Sequence, residues 1–455
     1  MRIADLAGKR VAIWGYGREG KAALDALARR LPGQMLTLFC SEAEASLVKT
    51  PVELVTLPPD AEALKRFDVV IKSPGISPYK EPIPEAQAAG VHFTSGTALW
   101  FAERPDARVI AVTGTKGKST TSAMIAHIAR ALGIRTALAG NIGLPLLDLL
   151  DAQADLWVVE LSSFQTGDAR AVDVGVINNL YEEHLDWHGS RERYTADKLR
   201  LAEAARTLVV GAQHADVSAR TAAHPRRVLF GEASGWHVRD GDLYRGSAAI
   251  DPSLTALRGL PGMHNVFNAC AALNALDAIL EFDDARALAA AHSLADFHGL
   301  PHRLQRLGRR DGIEYVNDSI STTPYAAIEA LRSLHGRAVT ILVGGFDRGV
   351  DWQPFVDFVS GWPCEIVTMG ANGSAIAGAL EKIRDPSFGV TRATKLGEAL
   401  AHAQSRVTAG GVILLSPGAP SFDQFHDYAE RGREFARLAG FDPAAISEIE
   451  GLGVA

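Results

Sequence analysis

The sequence predicts an α/β protein built from three domains, and three observations support that class. Short apolar strands alternate with helical patterns along most of the chain. Several of these strands end in glycine-rich or polar turns, as strands of open α/β sheets do where ligands bind. The length of 455 residues exceeds what one hydrophobic core normally organises. We therefore predict domains over residues 1–100, 101–302 and 303–455.

The first domain opens with a buried strand and a glycine-rich turn. Apolar residues in the segment 9–15 lead into Gly15-Tyr16-Gly17, and the turn continues to Gly20 before a helical pattern begins. A second strand, over residues 68–72, ends in Ser73-Pro74-Gly75. A strand, a G-x-G-x-x-G turn and a helix in this order are typical of a Rossmann-like domain that holds a nucleotide diphosphate.

The glycine motif alone is weak evidence for any particular nucleotide. Taken by itself it suggests NAD, with Glu42 as a ribose ligand after a strand over residues 35–39. That interpretation would leave the more specific motif of the next domain without a role. We therefore interpret the first domain as the site for the diphosphate of a different nucleotide-bearing ligand.

The second domain contains the most informative segment of the chain. A strand over residues 109–113 runs directly into Gly114-Thr115-Lys116-Gly117-Lys118-Ser119-Thr120, and a helical pattern follows. Glycines let backbone N–H groups turn inward around a phosphate, and the helix N-terminus adds positive potential. The lysine and serine reach the β- and γ-phosphates and Mg²⁺. The general P-loop motif has its first glycine where Val112 stands here, but the strand and helix context still predicts an ATP site.

Polar side chains also follow two later strands of the second domain. The strand over residues 156–160 ends in Glu160, which we expect to bind Mg²⁺ beside Ser119. A glutamate at a strand end can instead cap a helix or pair with an arginine. The next strand is followed by His184 and Lys198, whose spacing alone does not distinguish ligands from surface residues.

The third domain continues the alternation of strands and helices. Strands are predicted over residues 313–316, 338–343, 365–369 and 411–415. Polar or glycine-rich residues follow three of them, at 317–319, 344–348 and 416–418. The pattern indicates an open α/β sheet with a loop-built site at one edge, and a linker is expected over residues 297–303.

Composition and charge exclude several classes of protein. With 47% hydrophobic and 22% charged residues the chain is typical of globular proteins, and its net charge of −7 argues against a nucleic-acid-binding surface. The three cysteines suit neither a disulfide framework nor a metal cluster, which indicates a reducing compartment. The sequence has no signal-peptide pattern and no apolar run long enough to span a membrane. It therefore predicts a cytoplasmic protein.

Across essentially the whole chain, the motifs resemble those of the Mur ligases, ATP-dependent enzymes of peptidoglycan synthesis that add amino acids to UDP-N-acetylmuramic acid. The resemblance rests on the ordered segments 114–120, Gly140-Asn141-Ile142-Gly143, 160–165, His264-Asn265 with Asn268, His302-Arg303 and Asn317-Asp318-Ser319. Segments 73–75, 162–165 and 415–425 are similar to those of the glutamate-adding members. The resemblance implies a three-domain Mur ligase architecture, with a Rossmann-like N-terminal domain, a central P-loop ATPase-type domain and a C-terminal Rossmann-like domain.

The resemblance also implies substrates and ligand contacts. The expected reaction joins glutamate to UDP-N-acetylmuramoyl-L-alanine through an acyl phosphate formed with ATP, with two Mg²⁺ sites. The implied ATP contacts are Gly114, Thr115, Lys116, Gly117, Lys118, Ser119, Thr120, Asn268, Arg303 and Asp318. The implied UDP-sugar contacts are Gly15, Tyr16, Gly17, Ser73, Pro74, Gly75, Asn141, Ser162 and His184. Asn141 and Asn268 can alternatively serve only to tie loops together.

The remaining implied roles concern the metals, the chemistry and the amino acid. The metal ligands are Ser119, Glu160, His184 and a carbamylated Lys198, because an unmodified ammonium would repel the metal. The catalytic residues are Lys118, His184 and Lys198. The glutamate contacts are Thr322, Arg348, Ser421, Phe422 and Tyr428.

The amino-acid loops depart from the usual pattern of the glutamate-adding members. Where those members read Asn-Asp-Ser-Lys-Ala-Thr-Asn, this chain has Ile320, Ser321 and Thr323 in place of the lysine, the alanine and the last asparagine. Arg348 replaces a lysine, and Phe422 and Tyr428 replace a leucine and a phenylalanine. Arg348 keeps the positive charge, so an acidic amino acid remains the expected substrate. The clustered changes resemble the variants that add L-glutamate, with a separate epimerase acting later; D-glutamate is the alternative.

Other classes of protein explain fewer of these motifs. A folylpolyglutamate synthetase shares the P-loop and a glutamate substrate, but generally lacks a complete first domain and the Ser-Ser-Phe-Gln motif. A nicotinamide-dependent oxidoreductase would leave residues 109–121 without a role. A nucleotide-sensing module would not need Glu160, His184 and Lys198 together. We expect a monomeric enzyme.

Overall fold

The structure is a computed structural model and describes residues 1–181, 185–250, 262–297, 299–446, 449 and 451–455. The chain forms two compact units. The first unit comprises residues 1–259, 264–297 and 451–455, and the second comprises residues 260–263 and 298–450. Both units contain largely parallel sheets with helices between the strands, so the predicted α/β class is confirmed.

A five-stranded parallel sheet begins the first unit. Its strands are β1 (Val11–Trp14), β2 (Leu36–Phe39), β3 (Glu53–Val55), β4 (Val69–Lys72) and β5 (His92–Thr94). Its helices are α1 (Arg18–Arg30), α2 (Glu42–Ala45), α3 (Ala61–Leu64), α4 (Ile83–Ala88) and α5 (Gly96–Glu103), after a 3₁₀ turn at Ile3–Leu6. The strand order is β3-β2-β1-β4-β5. The strand order reverses between β1 and β4, the point at which open α/β sheets bind ligands.

A seven-stranded sheet follows in the same unit. Its strands are β6 (Val109–Thr113), β7 (Thr136–Gly140), β8 (Leu156–Glu160), β9 (Val172–Ile177), β10 (Ala205–Gly211), β11 (Arg227–Phe230) and the segment Gly453–Val454. The order is β11-β10-β9-β6-β8-β7, with Gly453–Val454 antiparallel to β7 at the edge. Every residue of β6 is buried between its parallel neighbours β8 and β9. The loops after these three strands therefore meet at one edge of the sheet.

Helices and a small sheet complete the first unit. The helices are α6 (Lys118–Ala131), α7 (Leu185–His188), α8 (Arg191–Ala204), α9 (Ala215–Arg220), α10 (Met263–Leu280) and α11 (Asp284–Ser293), with 3₁₀ turns at Leu146–Leu149, Thr166–Asp168 and Leu294–Asp296. The strands β12 (Trp236–Arg239), β13 (Asp242–Arg245) and β14 (Ala248–Ala249) form an antiparallel sheet that the sequence patterns did not predict. Trp236 Nε1 and the Arg245 guanidinium bind Asp277 on α10, which anchors this sheet.

One hydrophobic core joins the two large sheets of the first unit. It contains Leu24 on α1 and Ile71 on β4 of the first sheet, and Val159 and Ile177 from the second. Trp100 on α5 packs against Trp157 on β8, with 4.9 Å between ring centroids. The predicted boundary at residue 100 lies inside α5 and within this shared core. The division of residues 1–302 into two domains stays a prediction.

The second unit is built on a six-stranded sheet. Its strands are β15 (Gln305–Arg310), β16 (Ile313–Asn317), β17 (Val339–Val343), β18 (Glu365–Thr368), β19 (Gly389–Arg392) and β20 (Val412–Leu415), in the order β15-β16-β20-β17-β18-β19. Its helices are α12 (Pro324–Ser333), α13 (Gln353–Val359), α14 (Gly373–Leu380), α15 (Leu396–Arg406) and α16 (Tyr428–Leu438). Only β15 is antiparallel to its neighbour. Two hydrophobic clusters cover the sheet, and the predicted strands correspond to β16, β17, β18 and β20.

Two further features of the structure concern membrane-spanning helices and the three cysteines. None of the described helices combines the length and the hydrophobicity that crossing a membrane requires. Cys40, Cys270 and Cys364 are all free thiols, and the last two are buried.

Candidate active site

The loop after β6 has the backbone conformation that its glycines predict. Gly114 and Gly117 have φ angles of 147° and 81°, which L side chains disfavour. A Cβ atom at Gly117 would also lie 2.5 Å from Asn268 Oδ1. α6 begins at Lys118, directly after this turn, and Lys118 Nζ donates to the Thr115 carbonyl at 3.0 Å. Residues 114–120 thus form a loop that ends in a helix N-terminus, an arrangement suited to an anion.

Asn179, just beyond β9, holds this loop in place. Its Oδ1 accepts from the backbone N–H groups of Thr115 and Lys116 at 3.0 and 2.8 Å, and its Nδ2 donates to the Lys116 carbonyl at 3.0 Å. The Thr115 hydroxyl also lies 2.6 Å from Tyr194 OH. Asn179 and Tyr194 were not among the predicted site residues. Asn179 carries the same signal as Glu160, a polar side chain at the carboxyl end of a strand, and could have been found by it.

Asn268 lies on α10 beside the phosphate loop. Its Oδ1 accepts from Thr121 Oγ1 at 3.2 Å and lies 3.4 Å from Asn178 Nδ2. Its Nδ2 donates to Asn265 Oδ1 at 3.2 Å. The structure therefore shows Asn268 tying α10 to the start of α6. Its predicted contact with the nucleotide stays a prediction.

Glu160, at the end of β8, is the strongest candidate for a metal ligand. The residue is 1% exposed, and its Oε1 accepts from Asn141 Nδ2 at 2.6 Å. Its other oxygen, Oε2, is buried and has no hydrogen-bond partner among the described residues. An unpaired buried carboxylate oxygen is costly, and Mg²⁺ prefers oxygen ligands. Glu160, with the hydroxyl of Ser119 on the first turn of α6, therefore fits Mg²⁺ chemically.

The pairing of Asn141 with Glu160 depends on a close approach of β7 and β8. Gly140 has a φ of 99°, and a Cβ atom there would lie 2.3 Å from the Glu160 carbonyl oxygen. The Asn141 backbone N–H donates to that carbonyl at 2.9 Å. The Gly140-Asn141-Ile142-Gly143 motif thus fixes the side chain that orients the Glu160 carboxylate.

Lys198, on α8, reaches the phosphate loop from inside the protein. The residue is 2% exposed, and its Nζ donates to the Gly114 carbonyl at 2.9 Å. The Tyr194 ring lies 5.2 Å from the same nitrogen. The predicted second metal site cannot be assembled from these residues alone, because His184 lies outside the described residues. In the part of the chain that the structure describes, no three His, Cys, Asp or Glu side chains converge as metal ligands do.

The Ser-Ser-Phe-Gln segment after β8 forms a turn held by its own side chains. Ser162 Oγ donates to Gln165 Oε1 at 2.7 Å, and Gln165 Nε2 donates to Thr97 Oγ1 at 3.1 Å. Gln165 is buried, so this turn is fixed against α5. Ser162 is partly exposed at the same sheet edge as Glu160.

The structure brings together the two predicted turns of the first sheet. Ser73 Oγ donates to the Gly15 carbonyl at 3.3 Å, and Pro74 accepts from Trp187 Nε1 at 3.1 Å. A Cβ atom at Gly20 would lie 1.8 Å from the Gly15 carbonyl oxygen, so the last glycine of the motif is required by packing. Burial raises the pKa of Tyr16. Gly15-Tyr16-Gly17 and Ser73-Pro74-Gly75 thus border the switch point between β1 and β4.

In the second unit, Asp318 is a buried carboxyl group at the end of β16. Ser416 Oγ donates to its Oδ2 at 2.7 Å, and the Leu304 N–H donates to its Oδ1 at 3.1 Å. Burial raises the pKa of Asp318 to about 6, against these hydrogen bonds and the nearby Arg303, which lower it. Burial also lowers the pKa of His302 to about 4, so this imidazole is neutral at pH 7.

The residues predicted to bind glutamate lie on neighbouring loops of the second unit. Arg348 Nη2 donates to the Thr322 carbonyl at 3.3 Å. Ser421 is buried, whereas Phe422 is 66% exposed and packs edge-on against Phe346 with 6.2 Å between centroids. Tyr428 begins α16, and its carbonyl accepts from Ser319 Oγ at 2.7 Å. The structure thus brings Thr322 and Arg348 together directly.

Arg431 is a buried residue that the sequence analysis missed. It is 1% exposed, and its guanidinium donates to the carbonyls of Ser319, Ala419 and Pro420 at 2.8 to 3.1 Å. Burial lowers the pKa of Arg431 to about 10, which leaves it charged at neutral pH. One side chain thus ties the loop after β16 to the loop that carries Ser421. No local pattern marks such a residue, because an arginine on a helix is normally exposed.

Comparison with known proteins agrees with this fold. The profile of the Mur ligase middle domain matches residues 112–276. A UDP-N-acetylmuramoyl-L-alanine–L-glutamate ligase of Xylella fastidiosa is 50% identical over 100% of both chains. A ligase of the same name from Salinispora tropica is 38% identical over 96% of this chain and 98% of its own. The crystal structure of UDP-N-acetylmuramate-alanine ligase from Thermotoga maritima matches 95% of this chain and 99% of its own with a TM-score of 0.61 and 19% identity, which supports the fold alone.

The chain belongs to the Mur ligase family, whose members are ATP-dependent enzymes that form amide bonds. The family prediction and the predicted Mur ligase architecture are therefore confirmed.

Proposed function

We propose that the chain joins glutamate, with the L enantiomer preferred, to UDP-N-acetylmuramoyl-L-alanine and converts ATP to ADP and phosphate. The observation that carries the proposal is the full-length relative at 50% identity that bears the name of this reaction. The phosphate loop and the buried Glu160 beside it support a reaction with ATP. The proposed enzyme is a cytoplasmic monomer, and a separate epimerase acts later if L-glutamate is the substrate.

Charge neutralisation and positioning are the main tasks of such a site. The alanyl carboxylate attacks the γ-phosphate of ATP and forms an acyl phosphate with release of ADP. The amine of glutamate then attacks the acyl carbon and displaces phosphate. The first step brings two anionic groups together and the second releases anionic phosphate, so the protein must supply positive charge at fixed positions. Lys118 and the N-terminus of α6 are suited to this, because both lie at the phosphate loop.

The remaining proposed ligand roles are those that the resemblance to the Mur ligases implies. Glu160 and Ser119 would hold Mg²⁺, which when bound neutralises phosphate charge. Asn141 orients Glu160, and Asn179 keeps the phosphate loop rigid. Arg303 and Asp318 would contact the nucleotide, and Arg348 the side-chain carboxylate of glutamate. The turns at Gly15 and Ser73 would hold the uridine diphosphate, and Ser162 the muramyl-alanine end.

The direct test is ATP-dependent phosphate release with UDP-N-acetylmuramoyl-L-alanine and each glutamate enantiomer in turn. We expect release to require both organic substrates and Mg²⁺, and the product to gain the mass of one glutamyl residue. Turnover of a folate instead of the UDP-linked substrate would replace this proposal with a folylpolyglutamate synthetase. Turnover of another amino acid would contradict the roles of Arg348 and Ser421.

Lys198→Ala is expected to lose most activity and to regain part of it when small carboxylic acids are added. The reason is the proposed carbamate on Lys198, whose anionic oxygens a free carboxylate can replace beside a metal. The measurement is kcat with and without acetate or formate, with Lys118→Ala as a control that carboxylates cannot rescue. No rescue, together with an unmodified lysine by mass spectrometry, would contradict the carbamate. The variant would then be explained by the lost hydrogen bond to Gly114.

The Asp318 carboxyl predicts a pH dependence of nucleotide use. Because its pKa is raised to about 6, the group becomes protonated as the pH falls below that value and no longer accepts hydrogen bonds at both oxygens. We expect the KM for ATP to rise as the pH falls through ~6, and Asp318→Asn to remove that dependence. The pH dependence of folding stability runs the other way. Because the pKa of Asp318 is higher in the folded than in the unfolded state, its protonation at low pH increases the free energy of unfolding. A loss of activity that coincides with unfolding would contradict this explanation.

A further inference from the structure

We propose that Trp187 and His188 are positioning residues that fix the positions of three substrate-binding segments of the first unit relative to one another. This inference rests on the proposed function, because it concerns the site for the UDP-linked substrate. Neither residue was among the predicted ligands. The segments are the turn at Ser73-Pro74-Gly75, the turn at residues 162–165 and the part of α8 that carries Lys198.

Trp187 connects the first two segments. Its indole Nε1 donates to the Pro74 carbonyl at 3.1 Å, and its backbone carbonyl accepts from Ser77 Oγ at 2.5 Å. Its ring stacks on Phe164, with 4.4 Å between centroids and 26° between planes. Phe164 lies in the Ser-Ser-Phe-Gln turn. One indole therefore fixes the distance between the loop after β4 and the turn after β8.

His188 connects the second segment to the third. The residue is fully buried, with its Nδ1 2.7 Å from Asp197 Oδ2 and its Nε2 3.0 Å from Ser163 Oγ. Because an ionised carboxylate only accepts, a neutral imidazole here donates from Nδ1 and accepts the Ser163 hydroxyl at Nε2. Asp197 Oδ1 also accepts from Tyr79 OH at 2.6 Å, and burial beside that carboxylate raises the pKa of Tyr79 to about 12.

Three of the partners of this pair lie at or next to residues with a proposed ligand role. Ser163 follows Ser162, Asp197 precedes Lys198, and Pro74 lies between Ser73 and Gly75. The Asp197 backbone carbonyl additionally accepts from Thr166 Oγ1 at 2.6 Å, which ties α8 to the end of the same turn. A shift of the His188 ring would therefore move Ser162 and Lys198 relative to each other. Misplacement by ~1 Å can lower a rate by ~10²-fold.

The Ser163, His188 and Asp197 side chains also have the order of a nucleophilic triad. The surroundings do not favour that interpretation, since Ser163 is 5% exposed and Asp197 shares its carboxylate with Tyr79. A buried, fully paired network instead fixes one arrangement of the segments that it joins.

The test compares two variants of His188, one that removes both of its side-chain hydrogen bonds and one that can keep one of them. His188→Phe should raise the KM for UDP-N-acetylmuramoyl-L-alanine or lower kcat, for a combined loss of ~10- to 10²-fold in kcat/KM. Binding of a non-hydrolysable ATP analogue, measured by calorimetry, should change by less than ~2-fold, because Asn179 holds the phosphate loop through hydrogen bonds that do not involve α8, even where Lys198 shifts. His188→Gln, which can restore a hydrogen bond to Ser163, should recover part of the loss.

Trp236→Phe is the matched control. Trp236 is also buried in the first unit and donates its indole N–H to a carboxylate, Asp277, at 2.9 Å. The Trp236→Phe variant should have a lower Tm. The ratio of its affinity for UDP-N-acetylmuramoyl-L-alanine to its affinity for the ATP analogue should equal that of the wild type. Should His188→Phe fail to fold, Ser163→Ala and the isosteric Asp197→Asn carry the test, with the same direction expected.

Two results would overturn the inference while leaving the proposed function in place. One is an active wild-type enzyme whose variants keep kcat/KM for the UDP-linked substrate. The other is an equal loss of affinity for both substrates. A wild-type chain that does not use the UDP-linked substrate at all would instead contradict the proposed function.

Discussion

Lys118→Ala is expected to lower the ligation rate by ~10²- to 10³-fold while the chain remains folded. The Lys118 side chain is only partly buried and donates a hydrogen bond to the Thr115 carbonyl. Removing this side chain therefore removes little packing. The same ammonium lies at the first residue of α6, where phosphate charge must be neutralised as the γ-phosphoryl group is transferred. The measurement is phosphate release under saturating substrates, with the circular dichroism spectrum and Tm as checks of folding.

Lys49→Ala provides the control for a loss of charge alone. Lys49 is an exposed lysine of the same unit, remote in sequence from the phosphate loop, and its substitution should leave the rate within ~2-fold. Near-normal turnover by a folded Lys118→Ala enzyme would contradict the ATP site at residues 114–120. It would also remove the main structural support for the proposed reaction.

The parts of the fold that could be predicted from sequence are those with strong local patterns. The continuous apolar run of β6 followed by Gly114 and Gly117 predicts a buried strand and a special turn, since only glycine tolerates such φ angles. The small antiparallel sheet at residues 236–249 was missed because its strands are short and partly polar. Gly453–Val454 was missed because two residues carry no period, although they pair with β7.

In the candidate site too, some residues could be predicted from local sequence patterns, whereas others depend on contacts that only the tertiary fold creates. Glu160 could be identified because it ends a strand at the ligand edge of a sheet, whereas Asn141 was identified only through the resemblance to the Mur ligases. The hydrogen-bond network that links Ser163, His188, Asp197 and Tyr79 could not be identified from sequence, because Tyr79 is 118 residues from Asp197. Arg431 likewise reaches the Ser319 carbonyl across 112 residues. Only the tertiary fold brings these partners together.

The stereochemical preference is the second large effect that we expect. Given UDP-N-acetylmuramoyl-L-alanine, ATP and Mg²⁺, the enzyme should use L-glutamate at least ~10²-fold faster than D-glutamate. We expect both carboxylates of glutamate to be bound by charge-assisted hydrogen bonds. In the wrong enantiomer at least one of these buried charged groups would lose its partner, which costs roughly 2 to 3 kcal/mol. Arg348, tied to the Thr322 carbonyl, lies beside the loop that departs from the usual pattern. The measurement is kcat/KM for each enantiomer.

The loop itself provides a sharper test of the same prediction. The triple variant Ile320→Lys, Ser321→Ala, Thr323→Asn restores the usual pattern, and we expect it to reduce the preference for L-glutamate before it affects the KM for ATP. The structure indicates that two of the three substitutions are tolerated. Ser321 Oγ is buried without a hydrogen-bond partner among the described residues, so its removal costs little. Thr323 caps α12 through the Ala326 N–H at 3.4 Å, and asparagine is an equally good cap.

The control is Thr323→Asn alone, which should keep both the cap and the stereochemical preference. An unchanged preference in the triple variant would show that the amino-acid configuration is read elsewhere, and the exposed Phe422 and Tyr428 would be the next residues to vary. A clear preference for D-glutamate in the unmodified enzyme would contradict the stereochemical proposal. It would leave the glutamate ligase reaction itself intact, because the charge of Arg348 suits the side-chain carboxylate of either enantiomer.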